Sequence, residues 1–353
     1  MKRILVVCAA ITLSCFLVRA QEAEDTGSGA GLSVVSRLDA GLSVDRLEGT
    51  NFNFGNTSLY TIFEGNILEN LSFTVINHWI GADWGEPGFK YGLLVPTGDL
   101  YVNTINFPFT GKAGNSFFDE AHIDYSFGDW VLSAGKMPLL VGGFEFEEYD
   151  FDVNSIATSA LWNSFTVYQY GASISRSIQD GAHTFTAMIS TNQCNNSPAF
   201  GFKWNGDMDW WTTSYSLMFS DHCRPYHNSN TISAILSLGN RLTYRNYFAN
   251  IDFVNRAGDP LYNFSDIDGY TLLMTVGVKS SETLNLSARY CLERFHQKNG
   301  EDTYYLDYTR PNASVQAEWF PMDGLRVQGC AGITQDKFYA VVGATYTIDF
   351  KLW

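Results

Sequence analysis

The chain has 353 residues, 45% hydrophobic and 15% aromatic, with 37 acidic against 22 basic side chains and a formal charge of −15. That is too apolar for a disordered chain. It is also too acidic to hold nucleic acid, whose phosphates need clustered Lys and Arg.

Met1-Lys2-Arg3 opens the sequence, an apolar run follows over residues 4–18, and Val18-Arg19-Ala20 leads into Gln21-Glu22-Ala23-Glu24-Asp25. A basic start, a short apolar run and a small residue before acidic sequence predict a cleavable secretory signal over 1–20. The run is short for a bilayer span. Residues 21–31 then read as a short periplasmic lead-in. After Val18 no apolar run is long enough for a membrane-crossing helix. An exported, aromatic-rich chain of this kind is either a soluble all-β protein or a closed transmembrane barrel, the β architecture that satisfies its backbone inside lipid.

The first segment alternates strictly. Leu32, Val34, Ser36, Leu38, Ala40, Leu42 and Val44 share one face, and Ser33, Val35, Arg37, Asp39, Gly41, Ser43 and Asp45 share the other. A period of two over about thirteen positions is long for a soluble strand. The same pattern returns at Ala121, Ile123, Tyr125 and Phe127 against Glu120, His122, Asp124 and Ser126. It recurs at Leu284 to Leu292 and at Ala313 to Trp319. Turn-forming residues punctuate it at Leu68-Glu69-Asn70, Gly128-Asp129, Gln179-Asp180-Gly181, Asn205-Gly206-Asp207, Gly239-Asn240, Ser280-Ser281-Glu282 and Pro321-Met322-Asp323-Gly324.

Longer connections lie between these turns, at 46–57, 81–116, 137–165, 192–198, 221–229, 255–267, 296–302 and 334–337. Short and long links alternate, so the turns fall on one rim and the long loops on the other, as in bacterial outer-membrane barrels. The strands between them number about sixteen. The expected fold is therefore all-β: a transmembrane antiparallel β-barrel over 32–353, in the outer membrane of a Gram-negative bacterium. A soluble β-sandwich would not sort its loops by length in this way. In the closing strand Tyr346, Ile348, Phe350 and Leu352 share a face and Trp353 follows out of phase. An aromatic end of this kind resembles the signal read by barrel-insertion machinery, so that machinery and outer-membrane lipids are expected partners.

The stretch AHIDYSFGDWVLSAGKMPLLVGGFEFEEYDFDVNSIATSALWNSFTVYQYG, residues 121–171, carries a more specific likeness. Its strand, tight turn, strand ending in Ala134-Gly135-Lys136, then Gly142-Gly143-Phe144-Glu145 and the tyrosine-rich Tyr168-Gln169-Tyr170-Gly171 resemble the phosphate-selective porin O and P family. The resemblance covers about fifty residues. It implies a sixteen-stranded, usually trimeric porin for passive diffusion of small hydrophilic solutes and ions. Many members of that family are general porins.

In sixteen-stranded porins the loop after the fifth strand folds into the lumen, which here is 137–165. Glu145, Glu147, Glu148, Asp150 and Asp152 alternate in it with Phe144, Phe146, Tyr149, Phe151 and Val153. Such alternation suits a segment with one side packed and one side lining water, so these acids are the expected constriction. An acidic outer loop facing the medium is the alternative. Arg37, Lys279, Arg289 and Arg326 fall in phase with the polar face and are the expected basic pore wall. Acid facing base across a pore makes a transverse field that screens solutes. The dense Arg and Lys ladder of a phosphate-binding pore, which gives each anion several cationic donors, is missing from the sequence. Weak cation preference or near-neutrality, without a saturable phosphate site, follows.

Cys194 and Cys223 fall on the loop rim and are the expected disulfide of an exported chain. Cys291 and Cys330 sit at similar depth on the lumen face with a strand between, beyond disulfide reach. His222-Cys223-Arg224-Pro225-Tyr226-His227 lacks a zinc spacing. His78, His122 and His183 lie on or beside strands without a catalytic set, and no nucleophile elbow, phosphate-cradling loop or metalloprotease pair occurs. Neither cofactor, metal nor catalysis is expected. A barrel-based scaffold, an adhesin or a lipid-hydrolysing enzyme are the competing readings.

Overall fold

The computed structural model describes residues 30–45, 49–53, 58–80, 118–147, 168–191, 198–221, 232–257, 268–299, 304–334 and 337–352. Among these, seventeen strand segments form one sheet. Two of them are successive pieces of one crossing, so the barrel closes with sixteen antiparallel strands. They are β1 (Ala30–Asp45), β2 (Gly49–Asn53 and Ser58–Leu68), β3 (Leu71–Ile80), β4 (Phe118–Phe127), β5 (Trp130–Pro138), β6 (Tyr168–Ile178), β7 (His183–Thr191) and β8 (Pro198–Met208). The circuit continues with β9 (Trp211–Asp221), β10 (Ile232–Tyr244), β11 (Tyr247–Ala257), β12 (Asp268–Ser281), β13 (Leu284–Asn299), β14 (Tyr304–Met322), β15 (Leu325–Thr334) and β16 (Lys337–Lys351). Each strand pairs with its neighbours in sequence, and β1 pairs with β16 to close the ring, from Gly31↔Lys351 to Asp45↔Lys337.

Closure leaves no sheet edge, which is what lipid demands of a β structure. Side-chain polarity follows from the same requirement. Outward positions are apolar and exposed: Leu38 and Leu42 on β1, Ile123 and Tyr125 on β4, Phe200 and Phe202 on β8, Val315 on β14, Val342 on β16. Inward positions on the same strands carry the buried polar groups, among them Arg37, Glu120, Ser314, Gln316 and Thr345. A soluble sandwich would show the reverse. On the rim that holds the tight turns, Trp210, Tyr244, Tyr247 and Trp319 are exposed. Arg176 lies over Trp130 at 5.1 Å, and Arg245 over Tyr244 at 5.3 Å. Amphipathic rings and cations at one level are the mark of a membrane–water interface.

The structure corrects several boundaries. β1 begins at Ala30, two residues before the expected start of the barrel, and the expected loop 46–57 contains the first piece of β2, paired with β1. The turns expected at Asn205-Gly206-Asp207 and Gly239-Asn240 are strand instead; the chain reverses at Asp209–Trp210 and Arg245–Asn246. Both replacements use a left-handed residue that is not glycine, Asp209 at φ 58° and Arg245 at φ 53°. The expected turn at Ser280-Ser281-Glu282 moves to Glu282–Thr283, after a bulge between Lys279 and Ser281. The signal segment, Trp353 and most of each long loop lie outside the described residues.

Val315 is 59% exposed at mid-height of β14. Val315→Arg should destabilise the barrel by about 2–4 kcal/mol in lipid vesicles, the cost of an arginine at the bilayer midplane. Urea unfolding followed by tryptophan fluorescence measures it. A cost near zero would mean that β14 does not face lipid there.

Candidate functional site

The most built feature of the interior lies just after β5. The segment 139–147 leaves the sheet and runs against the inward face of β9, β10 and β11. Val141 packs into a buried apolar pad of Ala199, Met218, Ile235 and Val254, with Leu139 beside it. These four side chains sit at inward positions on four consecutive strands, where the rest of the barrel places polar groups. An apolar patch on a wet wall is stable only if something covers it. Here the loop does.

Polar contacts then fix the segment. Gly142 N–H donates to Ser216 Oγ at 2.6 Å, and Gly143 N–H to the Ser214 carbonyl at 3.0 Å. The Ser237 hydroxyl donates to the Gly142 carbonyl. Glu145 N–H donates to Asp252 Oδ2 at 2.8 Å, at the start of the single-turn helix α1 (Phe144–Glu147). Phe144, 1% exposed, lies under the Arg241 guanidinium at 4.2 Å. Backbone meets backbone: a Cβ on Gly239 would lie 2.5 Å from Gly143 Cα, and one on Gly142 would lie 2.7 Å from the Ser214 carbonyl. Gly143 adopts φ +95°, a region open mainly to glycine.

Of the expected constriction acids, Glu145 is 4% exposed and buried against the wall. Glu147 ends α1, while Glu148, Asp150 and Asp152 lie outside the described residues. Of the expected basic wall, Arg37 and Arg289 are buried on the inward face of β1 and β13, and Arg289 Nε donates to Thr275 Oγ1 at 3.0 Å. Arg326 pairs with Glu318 at 3.0 Å on the neighbouring strand. Lys279 is in phase but exposed near the turn rim, next to the β12 bulge. These bases sit on β1, β12, β13 and β15, none of which contacts the loop segment through the pad or the bonds above.

Sequence reasoning did not single out Arg241, Asp252 or the apolar pad. The signal was there: Ala199, Met218, Ile235 and Val254 break the polar side of the alternation on neighbouring strands. A second group was noted only as a wall histidine. His122 on β4 lies between Glu120 (Nδ1 to Oε1, 3.1 Å) and Asp124 (Nε2 to Oδ2, 3.2 Å). Ser133 hydrogen-bonds Asp124, so the acid stands between serine and histidine. That serine–acid–histidine order differs from the nucleophile–histidine–acid order of a catalytic triad.

Cys194 and Cys223 lie outside the described residues, and Cys291 and Cys330 are buried and form no disulfide. Their expected common depth is corrected by the register. Cys291 opposes Asn312 and Cys330 opposes Gln316 on the intervening β14, an offset of about 13 Å along the strand.

No protein family matches the sequence, and neither does any curated protein. Solved structures do match in fold. OmpF of Salmonella typhi, in complex with daunomycin, is 12% identical with a TM-score of 0.62, over 90% of this chain and 97% of that one. OmpT, an outer membrane protein of Vibrio cholerae, is 10% identical in its trimer form with a TM-score of 0.58, over 91% of this chain and all of that one. The outer membrane channel DcaP of Acinetobacter baumannii is 9% identical with a TM-score of 0.56, over 93% of this chain and all of that one.

Gly239→Ala should push 142–145 off the wall while leaving the sixteen-stranded sheet closed. Cleavage by a glutamate-specific protease at Glu145 and Glu147 should speed up about tenfold or more, as expected when a loop held by about 1.4 kcal/mol or more of contacts is freed. An unchanged cleavage rate with folded barrel would show that the Gly143–Gly239 contact holds nothing. With the fold, the outward apolar band and these neighbours in view, the chain is an outer-membrane β-barrel with the architecture of the porins.

Proposed function

We propose that the chain is a porin: a water-filled channel for passive diffusion of small hydrophilic solutes and ions, narrowed by the acidic loop 137–165, and not an enzyme. The observation that carries this reading is the docking of 139–147 on the inward face of β9–β11, which brings the root of that loop inside the barrel. From there the chain continues as Glu147, Glu148, Asp150 and Asp152. The bases Arg37, Arg289 and Arg326 stand on strands that do not hold the loop, and acids on the loop with bases on the wall would set a field across the path. Barrels that hydrolyse lipid or protein have about ten or twelve strands, and this one has sixteen.

Three units of such a barrel would assemble as a homotrimer, as the trimer form of OmpT does. The resemblance to phosphate-selective porins would favour anions. The nearest charges win, since about 0.15 M salt screens beyond roughly 8 Å. We therefore assign weak cation preference and no saturable phosphate site.

Purified protein in a planar bilayer should give stepwise, ohmic conductance, and folded protein without channels would remove the porin reading. Replacing Glu145, Glu147 and Glu148 with glutamine should move the zero-current potential in a salt gradient toward anions. Glu145→Gln alone should contribute least, because that side chain is buried. No shift in the triple variant would place the acids outside the pore. Peptide mapping without reduction should find Cys194 joined to Cys223, whereas separate thiols there would remove the disulfide.

A further inference from the structure

Three lumen-facing ionisable groups stand on one strand outside the loop and its opposing bases: Glu120, His122 and Asp124 on β4. Their side chains are 12%, 13% and 23% exposed, so they touch the water path without being free in it. Both ring nitrogens of His122 lie against carboxylate oxygens, at 3.1 and 3.2 Å. An ionised carboxylate only accepts, and a neutral imidazole has one N–H and one lone pair. Satisfying both carboxylates takes two N–H groups, the imidazolium.

We propose that His122 is a specificity-determining residue of the channel, switching the charge of this wall with pH. The inference rests on the porin reading above. As imidazolium, His122 holds both acids and the group carries one net negative charge. When the ring gives a proton to lumen water, its lone pair repels one of the two carboxylates. That acid turns to the lumen, and the group carries two negative charges. Cation preference therefore rises with pH.

Neighbouring strands place no further acid directly opposite this group. β3 places Ser72, Thr74 and Ile76 opposite Asp124, His122 and Glu120. β5 places Ser133 and Gly135 opposite Asp124 and His122. The next residue on β5, Lys136, opposes Ala121 and is buried at 3% exposure, a cation common to the wild type and every variant below. Gly135 also keeps the histidine in place: a Cβ there would lie 2.6 Å from His122 Cα.

The test is the zero-current potential of the whole barrel in a KCl gradient between about pH 5 and about pH 10, a range that begins where the ring is charged and most carboxylates are already ionised. In the wild type the cation-to-anion permeability ratio should rise by roughly two-fold across that range, the scale of one added charge within a Debye length of the path. His122→Gln donates to one acid and stays neutral, so it should hold the high-pH ratio throughout; His122→Asn should agree with it. Glu120→Gln and Asp124→Asn should each lower the high-pH ratio. Equal pH dependence in the wild type and in either folded histidine variant would overturn the inference while leaving the channel intact. A folded wild-type barrel that carries no current would overturn the porin reading, and this inference with it.

Discussion

Every level of this protein answers to one constraint: a peptide group in hydrocarbon has no water to bond, so each N–H and C=O must find a partner within the chain. The sixteen strands meet it by pairing in sequence order and closing through β1 and β16. Once the ring is closed, the outer surface must match lipid and the inner one water. That is why Leu38, Ile123 and Val315 face out while Arg37, Glu120 and Gln316 face in. The interior can then be expensive in polar groups, because they stabilise one another between neighbouring strands through contacts such as Arg289 to Thr275 and Arg326 to Glu318.

The interior also shows how a barrel this wide holds a chain segment against its wall. Left bare, the apolar side chains Ala199, Met218, Ile235 and Val254 would line water. Covered by Val141, they become the anchor of the inner segment. Burial supplies the attraction there, and directional bonds from Ser216, Ser237 and Asp252 supply the position. The Arg241 guanidinium is drawn over Phe144, so one of the lumen cations is turned toward the anchor.

The period-two alternation was fully legible in the sequence, because it records the two solvents directly. So were the strand count and the turns at Gly128-Asp129 and Asp323-Gly324. The turns misread at Asn205-Gly206-Asp207 and Gly239-Asn240 failed for one shared reason: glycine and asparagine serve more than chain reversal. Gly206 is small because Thr213 and His183 crowd its α-carbon, and Gly239 because Gly143 lies on it. Asn240 is outward and accepts from the Trp211 indole and the Tyr215 hydroxyl, at 3.0 and 2.7 Å. Such demands come from residues distant in sequence and leave no local mark. The cysteine depths failed because depth was counted from the turns, and the paired strands of a barrel are staggered against one another. The anchoring pad and the His122 group were written in the sequence as departures from or concentrations within the alternation, and both needed the neighbouring strands to give them meaning.

The seam between β1 and β16 joins segments that are far apart along the chain, as in the Ser33 to Asp349 hydrogen bond across 316 positions. Neighbouring hairpins can form as the chain emerges, but this pairing waits for a strand made last. Until then two full-length edges stay open, each a template for any other unpaired strand. Contacts of such long range also slow folding, because the closure entropy is met before the seam rewards it. The barrel is therefore a structure in which assembly is decided by its final strand, and an escort that shields the edges before closure has more influence on the yield than any contact inside the finished wall.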